Sequence, residues 1–216
     1  MLAGHNGSGK STLWYELLAP VLKMPLINAD RLMLSILPDE NTLPDWAATL
    51  RDKHEGWMRV AQQGVKAFVA QALTNKVPFA METVFSHWQK KPDGSYASKI
   101  DDIRDMQRAG YFVLLIFVGL ASSALSVGRV QSRVALGGHA VSGTKLLERF
   151  PRTQKAIKNA LPVADGSILL DNSGTAGEAF KVCRVQLRDQ KVYDVRDHEP
   201  PQKQILLWMQ KVAGRA

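Results

Sequence analysis

A glycine-rich segment close to the first residue constrains this chain more than any other feature of its sequence. Residues 4–11 read Gly-His-Asn-Gly-Ser-Gly-Lys-Ser and match the phosphate-loop pattern G-x-x-x-x-G-K-S/T at every fixed position. In such a loop the backbone N–H groups turn inward around phosphate oxygens, the lysine reaches the β and γ phosphates, and the serine hydroxyl binds Mg²⁺. The segment therefore predicts a site for ATP and Mg²⁺.

Residues 12–22 follow the loop and are rich in leucine, so we expect a helix whose positive N-terminal end also faces the phosphates. His5 occupies a variable position of the pattern, so we expect its backbone to bind phosphate rather than its ring. Ser11 is the expected metal ligand. The residues expected to hold the nucleotide are Gly4, His5, Asn6, Gly7, Ser8, Gly9, Lys10, Ser11 and Thr12.

Three residues precede the loop in this sequence, whereas a typical strand has about five. Either the first strand is unusually short or the true start lies upstream of Met1, and the second is our expectation.

Length and composition favour one domain over residues 1–216. The chain has 45% hydrophobic residues, enough for a full core. Its longest apolar run, residues 112–120, is too short to span a bilayer, and no leader pattern is visible, so we expect a cytoplasmic protein with no membrane partner. The single cysteine, Cys183, excludes an internal disulfide.

The formal net charge of +8 favours anionic partners such as nucleotides, nucleotide sugars or nucleic acid. Lysine and arginine are spread along the chain instead of forming a basic run interleaved with aromatics. Nucleic acid is therefore the least favoured of the three.

Apolar runs and helical periodicity alternate along the chain. We predict strands at residues 24–28, 77–81, 111–120 and 167–171, and helices at residues 46–75, 98–109, 122–136 and 144–160. A polar loop is expected at 88–97, and Trp46 and Trp57 are expected in the core. The pattern predicts an α/β, three-layer phosphate-loop kinase fold with a mainly parallel five-stranded sheet. A helical lid at about 129–152 and a C-terminal extension at about 176–216, made of a β-hairpin and a helix, complete the prediction.

Two carboxylates follow predicted strands, at the sheet edge where parallel sheets bind ligands. Asp30 comes after the strand at 24–28 and is our candidate for the base that accepts the proton of an attacking hydroxyl. Glu82 and Thr83 follow the strand at 77–81 and are candidates to orient the acceptor or a metal-bound water. Two alternatives stay open: Asp30 caps a helix that starts at Arg31, and Glu82 is a structural ion-pair partner.

Arginines follow in the second half of the chain. Arg129 and Arg133 lie at i, i+4 and share one helix face, and Arg149 lies on the helix after the glycine loop at 137–143. All three are candidates to close over the γ-phosphate during transfer. The alternative for Arg129 and Arg133 is a solvated helix face, and His139 is expected to make local hydrogen bonds.

Four segments together resemble the zeta-toxin family of phosphate-loop kinases, and the resemblance runs from about residue 2 to residue 174. The segments are residues 4–13, residues 27–30 (Ile-Asn-Ala-Asp), residues 82–86 (Glu-Thr-Val-Phe-Ser), and Arg129-Val-x-x-Arg133-Val followed by Gly-Gly-His at 137–139.

Members of this family phosphorylate the sugar 3′-hydroxyl of UDP-N-acetylglucosamine and are held inactive by an antitoxin. The resemblance implies that Asp30 is the catalytic base, that Lys10 and Ser11 hold ATP and Mg²⁺, and that Glu82 and Thr83 face the acceptor. It also implies that Arg129 or Arg133, with an arginine near Arg149, grips the transferred phosphate. The Gly-Gly-His segment is similar to a compact bacterial branch of the family whose members are often called predicted ATPases and whose substrates are less well established than those of the toxins.

Other phosphate-loop classes fit less well. The chain has no Leu-Ser-Gly-Gly-Gln signature of transporter ATPases, and it has no Asn-Lys-x-Asp motif of GTPases. Two alternatives stay open: a kinase for another small hydroxyl compound or a nucleic-acid 5′ end, and a non-catalytic nucleotide-gated binding protein.

Overall fold

A seven-stranded sheet forms the centre of the protein. The computed structural model describes residues 1–38, 43–53, 55–136, 140–198 and 201–214. The strands in chain order are β1 (Leu2–Gly4), β2 (Leu26–Ile27), β3 (Ala80–Thr83), β4 (Trp88–Lys90), β5 (Tyr96–Ser98), β6 (Leu114–Gly119), β7 (Gly166–Asp171), β8 (Lys181–Leu187) and β9 (Gln190–Asp194). The sheet order is β2-β3-β1-β6-β7-β8-β9, and the first five of these strands are parallel.

Helices connect and cover these strands. They are α1 (Lys10–Thr12), α2 (Ala19–Leu22), α3 (Ala29–Leu34), α4 (Asp45–Lys53), α5 (Glu55–Asn75), α6 (Lys99–Arg108), α7 (Ser123–Ala135), α8 (Gly143–Ala160) and α9 (Lys203–Ala213). The predicted α/β class and the mainly parallel sheet are confirmed. Among the described helices, none combines the length and the apolar character that a bilayer crossing requires.

The sheet has two more strands than predicted because the C-terminal hairpin joins it. β8 pairs antiparallel with β7, and β9 pairs with β8. The hairpin itself was predicted, but its attachment was not. The attachment satisfies backbone groups that β7 would otherwise leave open at the edge of the parallel sheet.

Residues of β6 alternate between two cores, as a strand covered on both faces must. Leu115 and Phe117 pack into the larger core together with side chains of α6, α8 and α9. Ile116 and Val118 pack on the other face against Leu13 and the helix that follows the phosphate loop. The sheet is therefore the middle of three layers.

The helix after the phosphate loop is not regular. Between α1 and α2 the chain forms a π-helical segment, Leu13–Leu18, whose wider ladder ends with a bond from the N–H of Ala19 to the carbonyl of Trp14. Pro20, in the first turn of α2, has no N–H to donate. The π segment therefore ends next to Pro20, where the α-helical hydrogen-bond ladder would lack one N–H donor even without the π segment.

Two predictions made from the sequence are wrong. Residues 88–97 are not simply a polar loop, because β4 and β5 pair as a hairpin in which Trp88 and Tyr96 stack with their ring centroids 5.0 Å apart. A turn with Gly94 at φ 81° connects the two strands. Trp46 was predicted in the core, but it lies on the solvent-facing side of α4 with 58% of its surface exposed.

The predicted helix at 46–75 corresponds to α4 and α5, and residue 54 between them lies outside the described residues. Residues 137–139, which include His139 and the first two glycines of the predicted glycine loop, also lie outside them.

Candidate active site

The phosphate loop leaves the sheet at the end of β1, between β3 and β6. Two of its glycines, Gly7 and Gly9, have positive φ values of 69° and 85°, which L side chains rarely adopt. Gly4 is required for a different reason, since a Cβ there would lie 2.6 Å from the carbonyl oxygen of Val118. Inside the loop the N–H of Ser8 donates to the carbonyl of His5 at 3.2 Å.

Side chains from two other elements hold the loop in place. Asn172, at the end of β7, donates from Nδ2 to the carbonyl oxygen of Ser8 at 2.9 Å. Ser126 of α7 donates from Oγ to the carbonyl oxygen of Asn6 at 2.7 Å. These contacts span 164 and 120 residues of sequence, so sequence reasoning identified neither residue as part of the site.

Lys10 is buried at the start of α1. Its Nζ donates to the carbonyl oxygens of Gly4 (3.3 Å) and His5 (3.0 Å) and lies 3.9 Å from Oε1 of Glu82. Burial lowers the pKa of Lys10 below its ordinary value, while the negative charges of Glu82 and Asp30 oppose that change. Both candidate carboxylates, Glu82 and Asp30, are therefore close enough to Lys10 for their charges to raise its pKa.

Glu82 lies in β3, one residue before the strand ends at Thr83. Both of its carboxylate oxygens accept from the Ser11 hydroxyl, at 3.4 and 3.5 Å, and Oε2 accepts from Nδ2 of Asn28 at 2.7 Å. The Oγ1 of Thr83 accepts from the N–H of Phe85 at 3.1 Å, so it stabilises the turn after β3. The candidate metal ligand Ser11 and the candidate substrate ligand Glu82 are thus direct neighbours.

Asp30 lies in the first turn of α3, and its side chain is exposed. Asn28 is the N-cap of this helix: its Oδ1 accepts from the N–H groups of Asp30 (2.8 Å) and Arg31 (3.4 Å). The capping role considered for Asp30 belongs to Asn28, which leaves the Asp30 carboxylate available at the sheet edge. The sequence signal was present, since asparagine directly after a strand is a favoured N-cap.

Two of the candidate arginines, Arg129 and Arg133, lie on α7, and Arg149 lies on α8. Arg129 donates from Nη1 to the carbonyl oxygen of Asn172 at 2.7 Å and from Nη2 to that of Gly174 at 3.4 Å. The positive charge of Arg133 acts on Lys10 and lowers its pKa. Arg149 of α8 lines a crevice next to His5. Their predicted contacts with a γ-phosphate stay a prediction.

The ring of His5 packs between the loop and α8. It stacks on Phe150 with centroids 3.9 Å apart and meets Phe117 edge-on at 5.5 Å. Burial and the nearby charge of Lys10 lower the pKa of His5 to about 3, so the ring is neutral at ordinary pH. The backbone of Phe150 opposes this change in part. The sequence analysis assigned a role to the backbone of His5 and missed this packing role of its ring.

The donor set fits a Mg²⁺–nucleotide. Oxygen ligands suit Mg²⁺, and the Ser11 hydroxyl and Glu82 carboxylate lie within 3.5 Å of each other. A buried lysine and a loop whose glycines leave no room for side chains provide the complementary features for phosphate.

Comparison with known proteins gives matches in structure alone. No family model matches the sequence, and no curated protein matches it. A solved structure from the PezAT chromosomal toxin–antitoxin system of Streptococcus pneumoniae matches the whole chain with a TM-score of 0.55 and 11% identity, and the match covers 78% of that chain.

A second solved structure, of AvrRxo1-ORF1:AvrRxo1-ORF2 with sulphate ions, matches 91% of this chain with a TM-score of 0.63 and 12% identity, and covers 61% of the other chain. At these identities the likeness concerns the fold. The likeness confirms the α/β fold that the motifs predict.

Proposed function

We propose that this protein is an ATP-dependent phosphotransferase that moves the γ-phosphate to a hydroxyl group of a small molecule. One observation carries the proposal. Lys10 and Ser11 of the phosphate loop contact Glu82 near the end of β3, and the negative charge of Asp30, which follows the neighbouring strand β2, raises the pKa of the same lysine. A protein that only binds a nucleotide has no need for a base such as Asp30 beside an acceptor.

Phosphoryl transfer requires positioning and charge neutralisation more than covalent chemistry. Lys10 neutralises phosphate charge, and for this its Nζ exchanges the carbonyls of Gly4 and His5 for phosphate oxygens. Asp30 accepts the proton of the attacking hydroxyl. Arg133 and Arg149 add positive charge around the loop. Mg²⁺, held by Ser11 with Glu82 beside it, supplies further neutralisation of the phosphates when bound.

The acceptor that we propose is a nucleotide sugar such as UDP-N-acetylglucosamine. The motif resemblance and the likeness of the fold to a chain of the PezAT toxin–antitoxin system support this choice. They also support a role as the toxin of a pair that an antitoxin protein controls. The net charge of +8 suits any of several anionic acceptors, so a polynucleotide 5′ end is the alternative.

The test is a transfer assay. The full chain is incubated with Mg²⁺, γ-labelled ATP and a panel of nucleotide sugars, nucleosides and oligonucleotides, and the labelled product is identified. We expect label on a nucleotide sugar. Label on an oligonucleotide establishes the alternative, and free phosphate as the sole product contradicts the kinase proposal.

Two variants assign the roles. Lys10→Ala is expected to remove ATP-dependent turnover, because phosphate charge is then not neutralised. Asp30→Ala is expected to lower transfer by about 10²-fold or more while ATP affinity stays nearly unchanged, since a general base acts on the acceptor. Loss of ATP binding and transfer together in Asp30→Ala contradicts the assignment of the base.

A further inference from the structure

The side chain of Asn28 bonds to both acidic positions of the candidate site. Its Oδ1 accepts from the N–H groups of Asp30 (2.8 Å) and Arg31 (3.4 Å) and so fixes the first turn of α3. Its Nδ2 donates to Oε2 of Glu82 at 2.7 Å, across 54 residues of sequence. One amide group therefore ties the helix that carries Asp30 to the end of the strand that carries Glu82.

Helix capping alone does not explain an asparagine here. Aspartate and serine cap helices about as well as asparagine does, because each offers an oxygen acceptor to the first turn. An amide also offers an N–H donor on its other side, which an ionised aspartate lacks. The orientation of the amide is fixed by its surroundings, since the opposite orientation would place its NH₂ group against two N–H donors and its oxygen against a carboxylate.

The bond from Asn28 is the shortest of the contacts that Glu82 makes in the site. The Ser11 hydroxyl lies 3.4 Å from Oε2, and Nζ of Lys10 lies 3.9 Å from Oε1. With Oε2 held at 2.7 Å, the carboxylate keeps Oε1 turned toward the lysine. Asn28 thereby sets the direction in which Glu82 presents its charge to the phosphate loop.

We propose that Asn28 is a positioning residue for phosphoryl transfer, which holds the Glu82 carboxylate beside Ser11 and Lys10 while it fixes the helix turn of Asp30. This inference rests on the proposed function. Groups that orient a ligand or a charged residue in this way are typically worth about 10- to 100-fold in affinity or activity.

The test separates the two bonds of Asn28. Asn28→Ser keeps an N-cap oxygen but has too short a side chain to reach Glu82, whereas Asn28→Ala loses both bonds. For Asn28→Ser we expect kcat of Mg²⁺-dependent turnover of ATP to fall about tenfold, with KM for ATP within about twofold and the melting temperature close to wild type. Asn28→Ala is expected to show the same fall in kcat and also a lower melting temperature, because it loses the N-cap oxygen.

A double-mutant cycle with Glu82→Ala provides the decisive comparison. If Asn28 acts by holding the carboxylate, Asn28→Ser has no further effect on kcat once Glu82 is alanine. Wild-type kcat in Asn28→Ser overturns the inference, and so does an equal loss in the presence and absence of the Glu82 carboxylate. Failure of the proposed function looks different: the wild-type protein then turns over no more ATP than Lys10→Ala, which overturns both proposals.

Discussion

Gly9 shows how closely single residues of the phosphate loop are constrained. Its φ of 85° belongs to the left-handed region, and a Cβ there would lie 2.6 Å from Nδ2 of Asn172. That nitrogen is the donor that holds the carbonyl of Ser8. A side chain at position 9 therefore strains the loop backbone and displaces one of its supports at the same time.

We expect Gly9→Ala to lower ATP affinity at least tenfold and to reduce the free energy of unfolding by about 1–2 kcal/mol. Titration calorimetry and urea unfolding measure the two effects. Gly56→Ala is the matched control, because Gly56 lies in α5 with no atom within 4 Å of the added Cβ. This control is expected to stabilise the protein by about 0.5–1 kcal/mol and to leave ATP affinity unchanged. Equal ATP affinity in Gly9→Ala and wild type contradicts the prediction.

His5 is expected to make stability depend on pH. Its folded pKa of about 3 lies below the ordinary value of 6.5, so the unfolded chain binds a proton that the folded protein does not. The contribution of His5 is therefore fully present above pH 6.5 and is lost as the pH falls from 6.5 toward 3. Between pH 7.5 and 5.0 the loss amounts to about 2 kcal/mol.

His5→Phe is the variant that isolates this effect, because a phenyl ring keeps the stack on Phe150 and does not titrate. Urea unfolding at pH 7.5 and 5.0 is expected to show a smaller loss of stability in the variant than in the wild type. The other histidines contribute equally to both proteins and cancel in the comparison. The same loss in both proteins shows that His5 titrates normally.

At the scale of elements, α8 joins the phosphate loop to the core. Phe150 stacks on His5, Thr153 donates from Oγ1 to the carbonyl of Val84 at 3.2 Å, and Ala156 and Ile157 are fully buried. Within about two turns the helix therefore packs on the loop, on the chain after β3 and on the core. Of these contacts, only the stack of Phe150 on His5 belongs to the predicted lid over residues 129–152, so opening of that lid would break this stack.

Phe150→Ala is expected to lower the free energy of unfolding by about 3–5 kcal/mol, because it leaves a cavity beside His5. Leu147→Ala on the same helix is the control, since Leu147 is 53% exposed and its truncation is expected to change stability by less than about 0.5 kcal/mol. NMR titration of His5 gives a second measurement. Its pKa is expected to rise toward the ordinary value as water reaches the ring, and an unchanged pKa in Phe150→Ala shows that the stack does not keep water out.

Local sequence patterns predicted the buried parallel strands well. The apolar run that contains β6 and the strand that ends at Asp171 were both visible, because buried parallel strands are continuously apolar. The β4–β5 hairpin was missed, since its three-residue strands show no alternation and are held by the stack of Trp88 on Tyr96. That stack exists only after the chain has folded back.

The site was predictable in the same uneven way. The phosphate loop, Asp30 and Glu82 follow from a motif and from strand ends. The contacts of Asn172 and Ser126 with the loop, and the second bond of Asn28, join residues 54 to 164 positions apart. No local pattern marks such pairs, because their distance is set by the strand order of the whole sheet.

At the scale of the whole molecule, the C-terminal segment shares the core of the rest. Trp208 of α9 is 1% exposed, lies against Gly119 of β6 and donates from Nε1 to Oδ1 of Asp171 at 2.9 Å. β8 contributes the buried Cys183 to the same core. Within the extension predicted at about 176–216, β8 and α9 thus contribute side chains to the larger core.

We therefore expect one cooperative unfolding transition. Far-ultraviolet circular dichroism and tryptophan fluorescence are expected to give the same midpoint in urea, and amide protons of β8 are expected to exchange with the same free energy as those of β6. Two separate midpoints, or faster exchange in β8 at a lower free energy, would show that the C-terminal segment unfolds by itself.

The two edge strands of the sheet, β2 and β9, influence whether copies of this chain aggregate. A free strand edge is a template on which another chain can add a strand and start an aggregate. β2, at one end, offers two residues, and β9, at the other, carries Lys191 in an ion pair with Asp197 at 2.7 Å. A short edge and a charged edge both disfavour strand addition, so the order of the strands also protects the protein against aggregation through its sheet.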